Sequence, residues 1–263
     1  ARYTVIIAGQ NNFAAGFGNF IGGGSLNCSH HGQNNIVVGG STNNNAGCIS
    51  FIGGGKNNKI ANPNLATTML GNVLVGGVYN TICGSSKAKN FIGGGEFNYV
   101  CASYSTLAGG RSNRLSSDLG FIGSGYCNTN RGGCGAIVGG SQNNVIGARA
   151  FIGAGTNNEG TGTSSVIGGG NANCNYGNCG TIGGGTLNVI CAGGNRSSIV
   201  GGQSNIIGAS HTDSFIAGSN ITSVSGNMLH AQRLFLSAGG LPTSDPGVAG
   251  VVWNDSGTLK ISL

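Results

Sequence analysis

Charge is what this chain has least of. Only 7% of its 263 residues are Asp, Glu, Lys or Arg, so solubility must rest on Asn, Ser, Thr and backbone groups. Proline occurs three times and tryptophan once. No apolar run approaches the roughly 20 residues needed to span a bilayer as a helix, which argues against membrane insertion. ARYTVIIAG at the start carries no secretory-signal pattern. The net charge of +6 is dispersed over Lys56, Lys59, Lys87, Lys89, Arg111, Arg114, Arg131, Arg149 and Arg196. Nucleic-acid readout would need a denser basic stripe. Glycine, by contrast, supplies 55 residues, and an apolar pair recurs among them too regularly for a disordered low-complexity chain.

The phrase FIGGGKNNKI at residues 51–60 returns as FIGGGEFNYV at 91–100 and as FIGSGYCNTN at 121–130. Aligned on its second apolar residue, the repeat falls on Ile7, Ile21, Val38, Ile52, Val75, Ile92, Ala108, Ile122, Val138, Ile152, Ile167, Ile182, Val200 and Ile216. The mean spacing is near 16 residues. Helical-pair repeats and propeller blades need about 33 residues or more, whereas one coil of a β-solenoid fits. The predicted fold is therefore an all-β parallel solenoid of about 14 short coils, roughly 65 Å long at about 4.8 Å per coil. Turns with a three-residue Gly-rich run place asparagine six after the anchor, and two-glycine turns place it five after. The two kinds alternate from Ile7 to Ile152, which predicts a pair of coils as the unit. The spacing of 23 after Ile52 contains ANPNLATTML, read as a loop bulging from one coil.

Successive strand residues face opposite sides, so the pairs Phe20–Ile21, Phe51–Ile52, Phe91–Ile92, Phe121–Ile122 and Phe151–Ile152 must face two environments. One column can fill the coil interior. The other forms an exposed apolar stripe, and such a stripe marks an interface, so lateral self-association is expected. The alternative is a flattened coil that buries both columns. Glycine runs such as Gly22 to Gly24 suit sharp corners and suggest crowding near a partner chain. Asn27, Asn58, Asn98, Asn128, Asn158 and Asn188 read as turn residues that tolerate the left-handed region.

A second short apolar segment follows each asparagine, for example Thr81-Ile82 and Val189-Ile190, giving two strands per coil. Beyond it lies a column of small residues: Ala61, Cys83, Cys101, Ser116, Gly147, Cys191 and Gly208. Nine cysteines cannot all pair within one chain. Cys83 and Cys101 occupy equivalent places in successive coils, where a bridge is geometrically allowed. Substitution of the same column by Ala, Ser and Gly favours buried thiols acting as small hydrophobes.

Enzymatic chemistry finds little support. Glycan hydrolysis commonly uses paired carboxylates, and Glu96, Asp118, Glu159 and Asp213 fall at different offsets from their anchors. Asp245 and Asp255 lie beyond the repeats. Cys28-Ser29-His30-His31 is a fragment of a metal site at most, with no second cluster to complete it, so neither metal nor cofactor is expected. Asn27, Asn195, Asn220 and Asn254 head glycosylation-type triplets, which chance explains in an Asn-rich chain. Ice binding would want flat ranks of threonine, which are absent.

The regular turns end near Val224. The chain divides into a repeat shaft, residues 1–226, and a closing segment, 227–263. That segment reads as a strand at 228–236, a turn at 241–247 and a hairpin of 251–253 with 259–263, a cap or trimerisation element for the open solenoid end.

The Ile-Gly-Gly-Gly-x-x-Asn phrase resembles the head repeats of trimeric autotransporter adhesins and the β-rolls of bacteriophage fibres over residues 5–225. The tail LPTSDPGVAGVVWNDSGTLKISL is similar to the closing segment of phage virion proteins. The resemblance implies a homotrimer of left-handed β-rolls on a virion surface, a fibre or spike contacting host-surface glycans and other virion proteins. A membrane anchor and coiled-coil stalk of the adhesin type are not found in the sequence. A bacterial surface adhesin head and a glycan-degrading β-helix are the alternatives.

Overall fold

The computed structural model describes residues 3–30, 32–61, 71–83, 88–232, 241–248, 252–255 and 258–261. The repeat region is an all-β parallel solenoid of about 14 turns, with no helix among the described residues. Each turn contributes one short strand to a 15-stranded sheet and one to a 13-stranded sheet. Val5–Ile6, Phe20–Ile21, Ile36–Val37 and Phe51–Ile52 begin the first sheet, and Phe13–Ala14, Cys28–Ser29 and Asn44–Asn45 begin the second. Single parallel bridges such as Gln10↔Ser25 and Ser25↔Ser41 close the corner between them.

A two-residue strand sends one side chain inward and one outward. In the first sheet Ile21, Val37, Ile52, Leu74, Ile92, Leu107, Ile122, Ile137, Ile152, Ile167, Ile182, Ile199 and Ile216 point inward and are fully buried. Ile60, Ile82, Val100, Leu115, Val145, Ile190 and Ile207 face them from the second sheet. Fully burying such a side chain stabilises by about 1.5–3 kcal/mol. That repeated term outweighs exposed ion pairs such as Arg111–Glu96 and Arg196–Asp213, whose attraction solvent screens.

This register corrects the sequence alignment. Val37, not Val38, pairs with Ile21 and Ile52, and Leu74, not Val75, pairs with Ile52 and Ile92. Ile6, Leu107, Ile137 and Ile199 likewise replace Ile7, Ala108, Val138 and Val200 as the residues in register. From Ile92 to Ile182 the inward residues are then a constant 15 apart, and asparagine falls six after every one from Ile21 to Ile199. The longer intervals, 22 after Ile52 and 18 after Leu74, contain residues 62–70 and 84–87, outside the described set. The predicted loop ANPNLATTML, residues 61–70, therefore lies outside the described residues except for Ala61. Two kinds of turn do alternate, but on the outer surface and not in length.

Asparagine spans turns where a lone turn residue was expected. The Asn128 N–H donates to Asn113 Oδ1 at 3.0 Å, and Asn128 Nδ2 donates to the Ser124 and Gly140 carbonyls at 3.1 and 2.9 Å. The pattern continues through Asn27, Asn58, Asn98, Asn158 and Asn188, all buried. The left-handed residue is the one before each: Leu26, Asn57, Phe97, Cys127, Asn157 and Leu187 have φ between 54° and 57°. That conformation turns an N–H back to the preceding turn, as from Cys127 to Arg111 O at 3.0 Å. A shorter ladder of the same kind, Asn19 with Asn35 and Asn72 with Asn90, sits two residues before the inward residue.

Contacts divide the chain after His230, and Ala231–Leu263 is a second unit. Leu229–Ala231 is a strand, and 233–236 of the expected longer strand lie outside the described residues. Within the turn at 241–247, the Gly247 N–H donates to Asp245 Oδ1 at 2.9 Å. Val252–Asp255 pairs antiparallel with Thr258–Ile261, a hairpin centred as the sequence indicates; Val251, Ser262 and Leu263 are outside the described residues.

Candidate interaction faces

Phe20, Phe51, Phe91, Phe121 and Phe151 point outward from the first sheet, with the last three 36–39% exposed. Their partners Ile21, Ile52, Ile92, Ile122 and Ile152 are the inward column. One of the two columns is thus an apolar stripe on the surface, and the flattened coil that buries both does not form.

The stripe has its own grammar. From Phe20 to Phe151 a turn with Phe before the inward residue has Gly after it, whereas the intervening turns carry a smaller residue before and Val or Ala after, as at Val38, Val75, Ala108 and Val138; Phe215, followed by Ala217, departs from this pattern. A Cβ placed on Gly53 would lie 3.2 Å from Phe51 Cε1 and would collide with the Val75 carbonyl of the next turn. From Phe20 to Phe151 the ring and the residue two positions on share the outer surface, so the bulk shifts from one side of the strand to the other in alternate turns.

Crowding of the glycine runs comes mainly from the chain itself. Of the run at 53–55, Gly53 faces Val75 O, and Gly55, with φ +85°, faces Gly77 O. The middle residue is different. A Cβ on Gly39, Gly54, Gly109, Gly184 or Gly201 would meet nothing within 4 Å, and none of these has a positive φ. Gly23, Gly76, Gly139 and Gly169 have only distant neighbours, Gly94 has φ +157°, and Ser124 and Ala154 are further small occupants. At Gly39, Gly54, Gly109, Gly184 and Gly201 neither a neighbouring atom nor the backbone conformation excludes a side chain.

The outer face of the second sheet is polar and thiol-rich. Cys83 Sγ lies 2.8 Å from Tyr99 Oη, and the Arg114 guanidinium sits over the Tyr99 ring at 5.1 Å from its centroid. Burial, with the neighbouring Cys101 thiol, pushes Cys83 up to about 11, although the Tyr99 hydroxyl and Arg114 oppose the rise. The hydrogen bond to Cys83 in turn raises Tyr99. A hydrogen bond to Cys174, assisted by desolvation, pushes Tyr176 up to about 12. Cys28 Sγ and His30 Nδ1 are 3.2 Å apart, and burial raises the Cys28 thiol; His31 is outside the described residues.

All nine cysteines carry free thiols and none is fully buried, contrary to the expected core hydrophobes. Cys83, Cys101 and Cys191 point outward beside inward Ile82, Val100 and Ile190. Ile146, not Gly147, is the register equivalent of Cys101, because Val145 is inward. At the neighbouring corner Tyr79 and Phe97 stack with centroids 5.0 Å apart.

No protein-family model and no curated protein matches this chain.

The carboxylates are dispersed along the solenoid. Glu96 pairs with Arg111 at 3.4 Å, and Asp213 pairs with Arg196 at 2.7 Å, which lowers the aspartate below its usual range. Asp118 Oδ1 accepts the Ser103 N–H at 2.8 Å, and Glu159 stands on a second-sheet strand. Among the described residues no three His, Cys, Asp or Glu side chains gather where they could hold a metal, and no helix is long and apolar enough to cross a membrane. The second asparagine ladder escaped the sequence reading, although Asn19, Asn35, Asn72 and Asn90 share one offset; its signal fades where Ser105, Gly120 and Gly135 replace them.

Proposed function

We propose that the chain is the shaft of a homotrimeric virion fibre or spike, a stiff rod that presents its corners and loops to a host surface. The observation that carries the reading is the column of side-chain-free positions at Gly39, Gly54, Gly109, Gly184 and Gly201 beside an apolar stripe. A soluble chain has no internal need for that column, and close approach of another backbone supplies one. Another copy of this solenoid has the same rise per turn and can meet the column at every level. The virion assignment rests on the tail at 241–263 and its similarity to phage closing segments; in this reading 227–263 is the cap or trimerisation segment. Host-surface glycans and other virion proteins are the external partners, and the role is structural and adhesive.

Light scattering on the purified chain tests the assembly, with and without reductant. A mass near three times 25.9 kDa in both conditions is expected. A monomer would remove the reading. Antiserum against the shaft should then label virus particles, and labelling of bacterial cell surfaces alone would move the chain to the adhesin class.

A further inference from the structure

Of the nine cysteines, Cys83 and Cys101 alone stand opposite each other on paired turns. Thr81 and Ile82 are in register with Tyr99 and Val100, which sets the next residues, the two cysteines, side by side on the outer face. The neighbouring Cys101 thiol is among the groups that raise Cys83, and Tyr99 Oη approaches the Cys83 sulfur at 2.8 Å. Both cysteines are half-buried and not sealed in the core. Paired parallel strands lie about 4.8 Å apart, inside the roughly 4.4–6.8 Å that Cα atoms of a disulfide occupy. Side chains of directly opposed parallel strands run alongside one another, so closure needs the two Cβ atoms to draw slightly together. A bridge made this way is more reducible than a relaxed one.

We propose that Cys83 and Cys101 form a reversible redox site, which a small-molecule disulfide of the oxidised-glutathione class converts to an inter-turn bridge. One thiol loses its proton and attacks the reagent, releasing one thiol and leaving a mixed disulfide. The second protein thiolate then displaces the other half. Two S–H bonds are lost, one S–S bond forms in the protein, and the reagent leaves as two thiols, so electrons and protons balance. The bridge joins the turns on either side of the chain's 18-residue interval, where residues 84–87 interrupt the 15-residue rhythm.

Peptide mapping after oxidation of the native full chain decides the matter. Incubation with oxidised glutathione at alkaline pH, alkylation of the remaining thiols, and trypsin give peptides 60–87 and 90–111, each with a single cysteine. Their cross-linked product, lighter by two hydrogens than the two peptides together, is the expected dominant species. It should disappear on dithiothreitol treatment and in both Cys83→Ser and Cys101→Ser. Recovery of the two cysteines alkylated, glutathionylated or joined to other cysteines would overturn the proposal. A Cys134→Ser variant, whose exposed thiol has no cysteine opposite it, should leave the 83–101 product at its original yield; loss of that product there would also overturn it.

Discussion

At the scale of the residue, Asn113 shows how a polar side chain can hold a nearly uncharged rod together. Its Nδ2 donates to the carbonyls of Gly109 and Gly125 at 3.1 and 2.9 Å, and its Oδ1 accepts the N–H of Asn128 at 3.0 Å. Asn113→Ala removes the partners of the Gly109 carbonyl and the Asn128 N–H, while Gly125 O keeps the Arg111 N–H at 2.9 Å; each buried unpaired group costs about 1–3 kcal/mol, so a loss of about 3 kcal/mol is expected. Asn12→Ala, at the open first turn, should cost less than about 1 kcal/mol, because water can replace its partners there. Thermal midpoints of the two variants compare them directly, and equal shifts would deny the ladder its weight. Tyr176 makes a second residue-scale test. Its proton is held more tightly in the folded state, up to about 12 against 10.0, so its contribution is complete below pH 10 and is lost as pH rises towards 12. Urea titrations at pH 9 and 11.5 should show the wild type losing more stability than Tyr176→Phe.

Elements here are single turns, and their unit is two. The inward residue and the asparagine repeat every turn, but from Phe20 to Phe151 the outer surface repeats every second turn, a Phe ring alternating with a Val or Ala two positions further on. Deleting Ile122–Phe151 removes two turns and joins Phe121 to Ile152-Gly153, preserving both patterns. Deleting only Ile122–Ala136 joins Phe121 to Ile137-Val138 and sets Val beside the ring. Overpacking of that kind costs about 1–3 kcal/mol. The shorter deletion should therefore melt lower than the longer one despite removing less chain. The reverse order in differential scanning calorimetry would show that the alternation is decorative.

Across the whole molecule, the distinction between crowded and open glycines separates positions the turn needs from positions available to the proposed assembly. Gly140 has φ +85° and its Cβ would strike Gly155 O, so substitution there damages the turn itself. Gly139 has an ordinary φ, and its nearest foreign atom is Ser124 Oγ at 3.8 Å. Gly139→Gln should keep the β circular-dichroism spectrum while lowering the mass of the assembly. An unchanged trimer would place the contact face elsewhere on the rod.

The mean period, the two strands per turn and the parallel solenoid follow from the spacing of recurring apolar pairs and turn residues, and the terminal hairpin, read as 251–253 with 259–263, from a local apolar and turn pattern. The facing of individual residues did not. A two-residue strand offers no run of alternation, so Ile36-Val37-Val38 reads equally well with either valine inside, and a slip of one residue exchanges core for surface. Only hydrogen bonding to the turns above and below, Val37 between Ile21 and Ile52, resolves that choice. The same holds for glycine and cysteine: composition gives their number, but whether Gly53 is crowded by its own chain, or Cys83 faces Cys101, depends on which backbone lies one turn away.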